Sequence, residues 1–168
     1  MTKIFEPVIN EIRQEAAITR RVLERVPADK LSWKPHPKSM SLGQLALHVA
    51  TIPGNVSKLA QLQEFDVSAA NFDPPSPGSA AELLTTLDAS VKTAEENISG
   101  FSESAAMENW RLLSKGKELF SLPRAGLIRT ILLNHWYHHR GQLSVYLRLL
   151  DVPVPVIYGR SADEDPFA

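Results

Sequence analysis

The chain has 168 residues, and its 18 Lys plus Arg against 19 Asp plus Glu give a formal net charge of −1. This length suits one domain that is large enough to build its own hydrophobic core. The balanced charge argues against a nucleic-acid-binding protein, because no basic excess is present to neutralise phosphates. The sequence contains no Cys, which excludes disulfides, cysteine zinc ligands and a thiol nucleophile of its own.

The sequence gives no sign of a membrane protein. No uninterrupted apolar run approaches the roughly 20 residues that a membrane-spanning helix needs. Residues 1–10 lack the apolar core of a secretory signal and contain Glu6 and Pro7. We therefore expect a cytoplasmic location and no membrane partner.

Four segments carry apolar residues at helical spacing, and clusters of Pro, Gly and Ser separate them. In chain order, the predicted helices cover about 5–26, 41–63, 79–99 and 123–150, and a Pro-rich, then acidic tail covers 151–168. Amphipathic helices with little strand signal predict an all-α fold, an antiparallel four-helix bundle. We expect 1–168 to form a single domain, with the tail packed back over a helix end.

The first predicted helix is amphipathic, and its inward stripe combines Glu15 with aliphatic residues. The second begins at Ser41, a favourable N-cap residue, and carries Pro53 in its interior. Because Pro has no N–H, the carbonyl of Val49 loses its helical hydrogen bond there. We therefore expect the second helix to kink or break at Pro53.

Two connecting segments differ in character. Residues 66–79 contain three prolines and a glycine, so we expect a loop without regular structure. Residues 101–122 are too long for a structureless loop in a compact domain. Their two short apolar runs flank a turn that contains Gly116. This pattern predicts a small hairpin or an irregular excursion before the last helix.

Three of the five histidines lie on apolar helix faces. His135 and His139 are four residues apart on the last predicted helix, so their side chains share one face and point into the bundle. His48 lies on the inner stripe of the second helix, which can bring it against the pair. Three neutral imidazoles form the ligand set of an open metal site, and imidazole suits Zn, Ni, Cu or Fe(II).

The same spacing also fits histidines that are core residues, each satisfied by one hydrogen bond. Spacing alone leaves that alternative open, because it does not show that the two helices meet at His48. A His-Glu-x-x-His zinc protease pattern is absent, since Trp136 follows His135. No carboxylate is evident on the inner stripe of either helix, which favours three histidines over a two-histidine, one-carboxylate iron site.

Several motifs resemble those of the DinB/YfiT-like superfamily. They are Asn134-His-Trp-Tyr-His-His-Arg-Gly-Gln-Leu143, Ser41-Leu-Gly-Gln-Leu-Ala-Leu-His48, Trp33-Lys-Pro35 and the ending Pro155–Phe167. The resemblance covers nearly the whole chain in order and length. It implies an up-down-down-up four-helix bundle and a divalent metal, often nickel or zinc, held by His48, His135 and His139. It also makes a homodimer plausible.

The resemblance further implies a chemistry. Family members with an assigned activity are mostly transferases that use low-molecular-weight thiols such as bacillithiol, mycothiol or glutathione. A metal with an open position can stabilise a thiolate, and an external thiol agrees with the lack of Cys in this chain. We therefore expect a metal-dependent thiol S-transferase that acts on a small electrophile. The alternatives are a non-catalytic metal-binding stress-response protein and a metal-dependent hydrolase, in which water attacks.

Other polar residues near these motifs have weaker claims. Gln142 and Gln44 are candidates for fixing a histidine tautomer, or for filling polar gaps in the core. We expect Arg140 to be solvated or to lie at a subunit contact, and Gly141 to serve helix–helix packing. The sequence suggests no general base beyond the histidines.

Overall fold

The computed structural model describes residues 3–71 and 73–167. The helices are α1 (Glu6–Leu23), α2 (Leu42–Gln61), α3 (Ala80–Ser99), α4 (Glu103–Met107), α5 (Arg124–Leu127) and α6 (His135–Leu149). The strands are β1 (Glu64–Asp66), β2 (Asn109–Ser114) and β3 (Lys117–Pro123). The protein is therefore mostly helical, with a small sheet that lies outside the predicted all-α class. Within the described ranges, no helix is long and apolar enough to span a bilayer.

Long helices occupy all four predicted segments, and their ends follow from local sequence. Ser41 caps α2, because its Oγ accepts a hydrogen bond from Gln44 N at 3.2 Å while Gln44 Oε1 accepts one from Ser41 N at 2.9 Å. Ser79 caps α3 by accepting from Glu82 N. The last predicted helix is one helical run, in which the π-helical segment Ile128–Asn134 joins α5 to α6.

The helix α2 continues through Pro53, so the predicted break does not occur. The carbonyl of Val49 faces a residue without an N–H and instead accepts a hydrogen bond from Trp136 Nε1 at 2.9 Å. The N–H of Gly54 donates to Ser90 Oγ at 2.8 Å. Side chains of α6 and α3 therefore supply partners to the helix backbone around the proline.

The hydrophobic core lies between the long helices. It includes Ile12 and Val22 of α1, Leu45, Val49 and Ile52 of α2, Leu83, Leu87 and Ile98 of α3, and Leu132, Trp136, Leu143 and Leu147 of the last helical run, all at most 2% exposed. The helices α2 and α3 approach closely at Gly54, where an added Cβ would lie 3.0 Å from Ser90 Oγ. Only glycine permits this approach without displacing its neighbour.

The sheet has the order β1-β2-β3. Strands β2 and β3 form the predicted antiparallel hairpin, with Gly116 at positive φ in its turn. Strand β1 pairs in parallel with β2, and its last residue, Asp66, belongs to the segment that we expected to lack regular structure. The Asp66 carboxylate accepts main-chain hydrogen bonds from Lys115 at 3.1 Å and Gly116 at 2.8 Å. The Ser68 hydroxyl and these amides hold the pKa of Asp66 at about 2.

The tail packs back on the helices, as predicted. Glu164 accepts hydrogen bonds from Arg21 at 2.5 Å and from Arg25 at 2.9 Å. Asp163 pairs with Arg148 of α6 and also accepts from the main chain of Val154 at 2.8 Å. Ion pairs thus hold the end of the chain against both α1 and α6.

Replacing Trp136 by Phe is expected to destabilise the fold by about 1–3 kcal/mol beyond the loss of ring volume, because the buried carbonyl of Val49 loses its donor. Trp110→Phe is the matched control. Trp110 Nε1 donates to the carbonyl of Leu59 at 3.1 Å, but that carbonyl also accepts from Leu62 N at 3.1 Å. Urea unfolding of both variants measures the difference, and equal losses of stability would contradict the role of Trp136.

Candidate metal centre

The histidines of the last helical run lie at the edge of its buried face. The centre of that face is formed by Leu132, Trp136, Arg140, Leu143 and Leu147, each at most 1% exposed. His135 and His139 are half-buried, so both rings lie at the edge of the apolar face on which they were predicted. The π-helical segment before His135 shifts the face of the helix on which the following residues lie, because a π turn holds more residues than an α turn.

All three predicted histidines meet between α2 and α6. His48 Nε2 lies 3.3 Å from His135 Nε2. The His139 ring centroid is 4.6 Å from that of His48 and 4.5 Å from that of His135. One ring nitrogen of each residue lies within 4.8 Å of the others. We call His48, His135 and His139 the histidine cluster.

The geometry and chemistry of the histidine cluster fit a divalent metal ion. In a tetrahedral zinc site with bonds of about 2.0–2.1 Å, neighbouring nitrogens lie about 3.3–3.4 Å apart. The 3.3 Å separation of the His48 and His135 nitrogens has this value. The group contains only histidines, so an ion held here keeps at least one position for an external ligand.

Two further contacts orient the rings of α6. His139 Nδ1 lies 2.7 Å from Gln142 Oε1, which assigns the proton to Nδ1 and leaves Nε2 as a free electron pair. His135 forms a hydrogen bond to the main chain of Ile131, within the π-helical segment. Gln142 therefore has the orienting position predicted for it. Gln44 does not, because it belongs to the α2 cap and donates from Nε2 to Pro74 O at 3.0 Å.

Burial keeps the histidine cluster uncharged. Burial, then repulsion by His139 and His135, lowers the pKa of His48 to about 4. Burial is also the main cause that lowers the pKa of His135 and His139, and the Gln142 hydrogen bond opposes it for His139. Neutral imidazoles are the form that binds metals. His138 is exposed and lies outside the group.

Arg140 is the polar residue whose role the sequence analysis missed. It is 1% exposed, and its Nη1 lies 2.6 Å from Glu15 Oε2 of α1. Thr19 accepts a second hydrogen bond from it at 3.2 Å, and the Tyr158 hydroxyl donates to Glu15 at 2.8 Å. The expectation of a solvated or intersubunit arginine is therefore wrong. The sequence did contain a signal for this pair. Glu15 lies on the inward stripe of the first helix, and an inward carboxylate requires a buried partner.

Gly141 also differs from its prediction. It is exposed, and a Cβ at this position would meet no atom within 4 Å. The packing of α6 against the rest of the described chain therefore does not require glycine there.

Comparisons with known proteins agree on one family. The DinB family model matches residues 1–165. The uncharacterized protein YrdA of Bacillus subtilis is 24% identical over 151 residues, which cover 89% of this chain and 85% of that protein. A crystal structure of a DinB-like protein from Bacillus cereus has a TM-score of 0.70 and 23% identity, covering 94% of this chain and 100% of that one. A crystal structure of the DinB-like protein YjoA of Bacillus subtilis has a TM-score of 0.68 and 16% identity, covering 90% of this chain and 96% of that one.

Gln142→Leu is expected to shift the tautomer balance of His139. In the wild type the Gln142 oxygen selects the Nδ1–H form, and without that acceptor the more common Nε2–H form gains population. Nitrogen-15 NMR of the metal-free protein reads the two ring nitrogens directly. Gln14→Leu, at an exposed position of α1, is the control, and an unchanged His139 tautomer in Gln142→Leu would refute the assignment.

The stability of the metal-free protein is expected to fall as the pH drops from about 6.5 to about 4. Burial lowers the pKa of His48 from its ordinary 6.5 to about 4 in the folded protein, so the unfolded chain binds more protons in this window. His48→Gln removes this contribution and flattens the dependence, whereas His36→Gln, at an exposed linker position, keeps it. Urea unfolding at about pH 7 and about pH 5 measures the slopes.

Proposed function

This chain belongs to the DinB family, and from that membership and the histidine cluster we propose that it binds a divalent metal, nickel or zinc, and acts as a thiol-dependent S-transferase. The ligands in this proposal are His48, His135 and His139. The observation that carries it is the convergence of three neutral imidazoles at a spacing that fits one ion.

The same helices support the bundle arrangement that we propose, up-down-down-up. Contacts between α2 and α3 advance together along both helices, from Gly54 with Ser90 to Gln61 with Asn97, which is the pattern of parallel neighbours. Contacts of α6 with α2 and with the residue just before its cap run in the opposite sense, because Val49 meets Trp136 while Met40 meets Tyr146. Parallel second and third helices with an antiparallel last helix distinguish this topology.

The residues of the site favour a thiol over water as the nucleophile. A bound ion would lower the pKa of a ligand at its open position. A thiol, with a free pKa of about 8.5, needs much less assistance than water, whose pKa is about 15.7. The histidine cluster includes no carboxylate that could act as a general base. Its residues hold the ion and orient the rings, and the reacting thiol comes from outside because the chain has no Cys.

The first test is metal content, measured by elemental analysis of protein purified without a histidine tag. We expect near-stoichiometric nickel or zinc in the wild type and its loss in His48→Ala and His139→Ala. His138→Ala is the matched control, since it removes an exposed imidazole of the same helix that lies outside the group. No bound metal in wild type after incubation with either ion, or equal loss in His138→Ala, would overturn the proposal.

The second step tests the reaction with metal-loaded protein and a panel of small thiols and electrophiles. Turnover that requires both the thiol and the histidine cluster supports the transferase. Turnover without thiol would contradict the transferase and support the hydrolase alternative. Bound metal with no turnover above that of the metal-free protein would contradict the transferase and support the non-catalytic metal-binding protein.

A further inference from the structure

A groove between α2 and α3 lies outside the histidine cluster and has a volume of about 180 Å³. Six polar side chains line it, namely Thr51, Asn55 and Lys58 of α2 and Thr86, Ser90 and Thr93 of α3. We call it the hydroxyl groove. Its floor is the close contact of Gly54 with Ser90, above which the longer side chains form two walls.

The hydroxyl groove has one charge, the ammonium of Lys58, and no carboxylate lines it. Lys58 and Asn55 are exposed, and in the described part of the chain neither forms a side-chain hydrogen bond or ion pair with another protein group. A second groove lies between α1 and α3 and is called the α1–α3 groove. Its charged residues are already paired, because Arg20 pairs with Asp88 and Glu95 pairs with Arg13. The donors of the hydroxyl groove therefore remain available to a ligand.

The threonines supply the complementary groups. Thr51 Oγ1 donates its hydrogen to the main-chain oxygen of Leu47 at 3.0 Å or of His48 at 3.1 Å. Thr93 Oγ1 donates to Ala89 O at 2.9 Å. Each hydroxyl has only one hydrogen, which its own helix takes up, so each oxygen of these two groove-lining residues can act only as an acceptor toward a ligand. A ligand that satisfies the groove needs donors for these oxygens and an anionic acceptor for Lys58.

We propose that the hydroxyl groove binds a small carboxylated polyol. Its carboxylate pairs with Lys58 and the Asn55 amide, and its hydroxyl groups donate to Thr51 and Thr93. Thr51 and Lys58 are seven residues apart, which is about 10.5 Å along a helix. Thr51 lies one turn after His48, so the ligand extends from Lys58 toward the histidine cluster. The groove binds without metal and is independent of the proposed transferase chemistry.

The test uses metal-free full-length protein and three probes, D-gluconate, sorbitol and acetate, followed by two-dimensional amide NMR. Gluconate is expected to shift the amide signals of Thr51, Asn55 and Ser90. Sorbitol lacks the charge and acetate lacks the hydroxyl groups, so each is expected to bind at least about tenfold more weakly. Shifts of equal size with acetate, or no shifts in the groove with gluconate, would overturn the proposal.

Lys58→Gln is expected to weaken gluconate binding about tenfold. Lys58 is exposed, so its replacement leaves the core intact. Lys92→Gln is the matched control, because Lys92 is an exposed lysine of α3 that lines the α1–α3 groove instead. Equal affinity in Lys58→Gln and wild type refutes the carboxylate assignment. Because the titration uses metal-free protein, its result is separate from any failure of metal binding.

Discussion

The hydrogen bond from Trp136 Nε1 to the carbonyl of Val49 is the interaction on which the candidate site depends. Pro53 removes the helical donor for this carbonyl, and α6 supplies another from across the core at 2.9 Å. Val49 follows His48, and Trp136 follows His135. The bond therefore fixes the register between the two helices one residue away from each histidine, and it does so at the point where α2 is otherwise weakest.

The two sides of α6 have different tasks. The histidines face α2 as neutral groups, whereas Arg140 faces α1 as a charge and pairs with Glu15. Removing one partner of such a pair leaves a buried charge uncompensated, which costs much more than the pair contributes. Arg140, directly after His139, thus fixes the orientation of α6 about its own axis. The histidine cluster on one side and an ion pair on the other lie on the same turn of helix.

Local signals in the sequence predicted much of this arrangement. The spacing of His135 and His139, the Ser41 cap and the hairpin around Gly116 each depend on residues close together in the chain. The π-helical segment, the pairing of Arg140 and the parallel strand β1 depend on contacts made only after folding. Asp66 holds the turn at Lys115 across a sequence separation of 49, and no periodic pattern reports such a contact. The apolar stripe of the second helix marked His48 as a candidate, but only the family resemblance joined it to the pair.

The contact of Glu15 with Tyr158 spans 143 residues, and its consequence concerns biosynthesis. A ribosome makes α1 first, but the arginine and the tyrosine that satisfy its inward carboxylate emerge only after α6 and the start of the tail. Until then, a nascent chain that holds α1 to α3 keeps Glu15 in water, because burying it alone is too costly. We therefore expect the native burial of Glu15 to be completed late during synthesis, once the start of the tail has emerged.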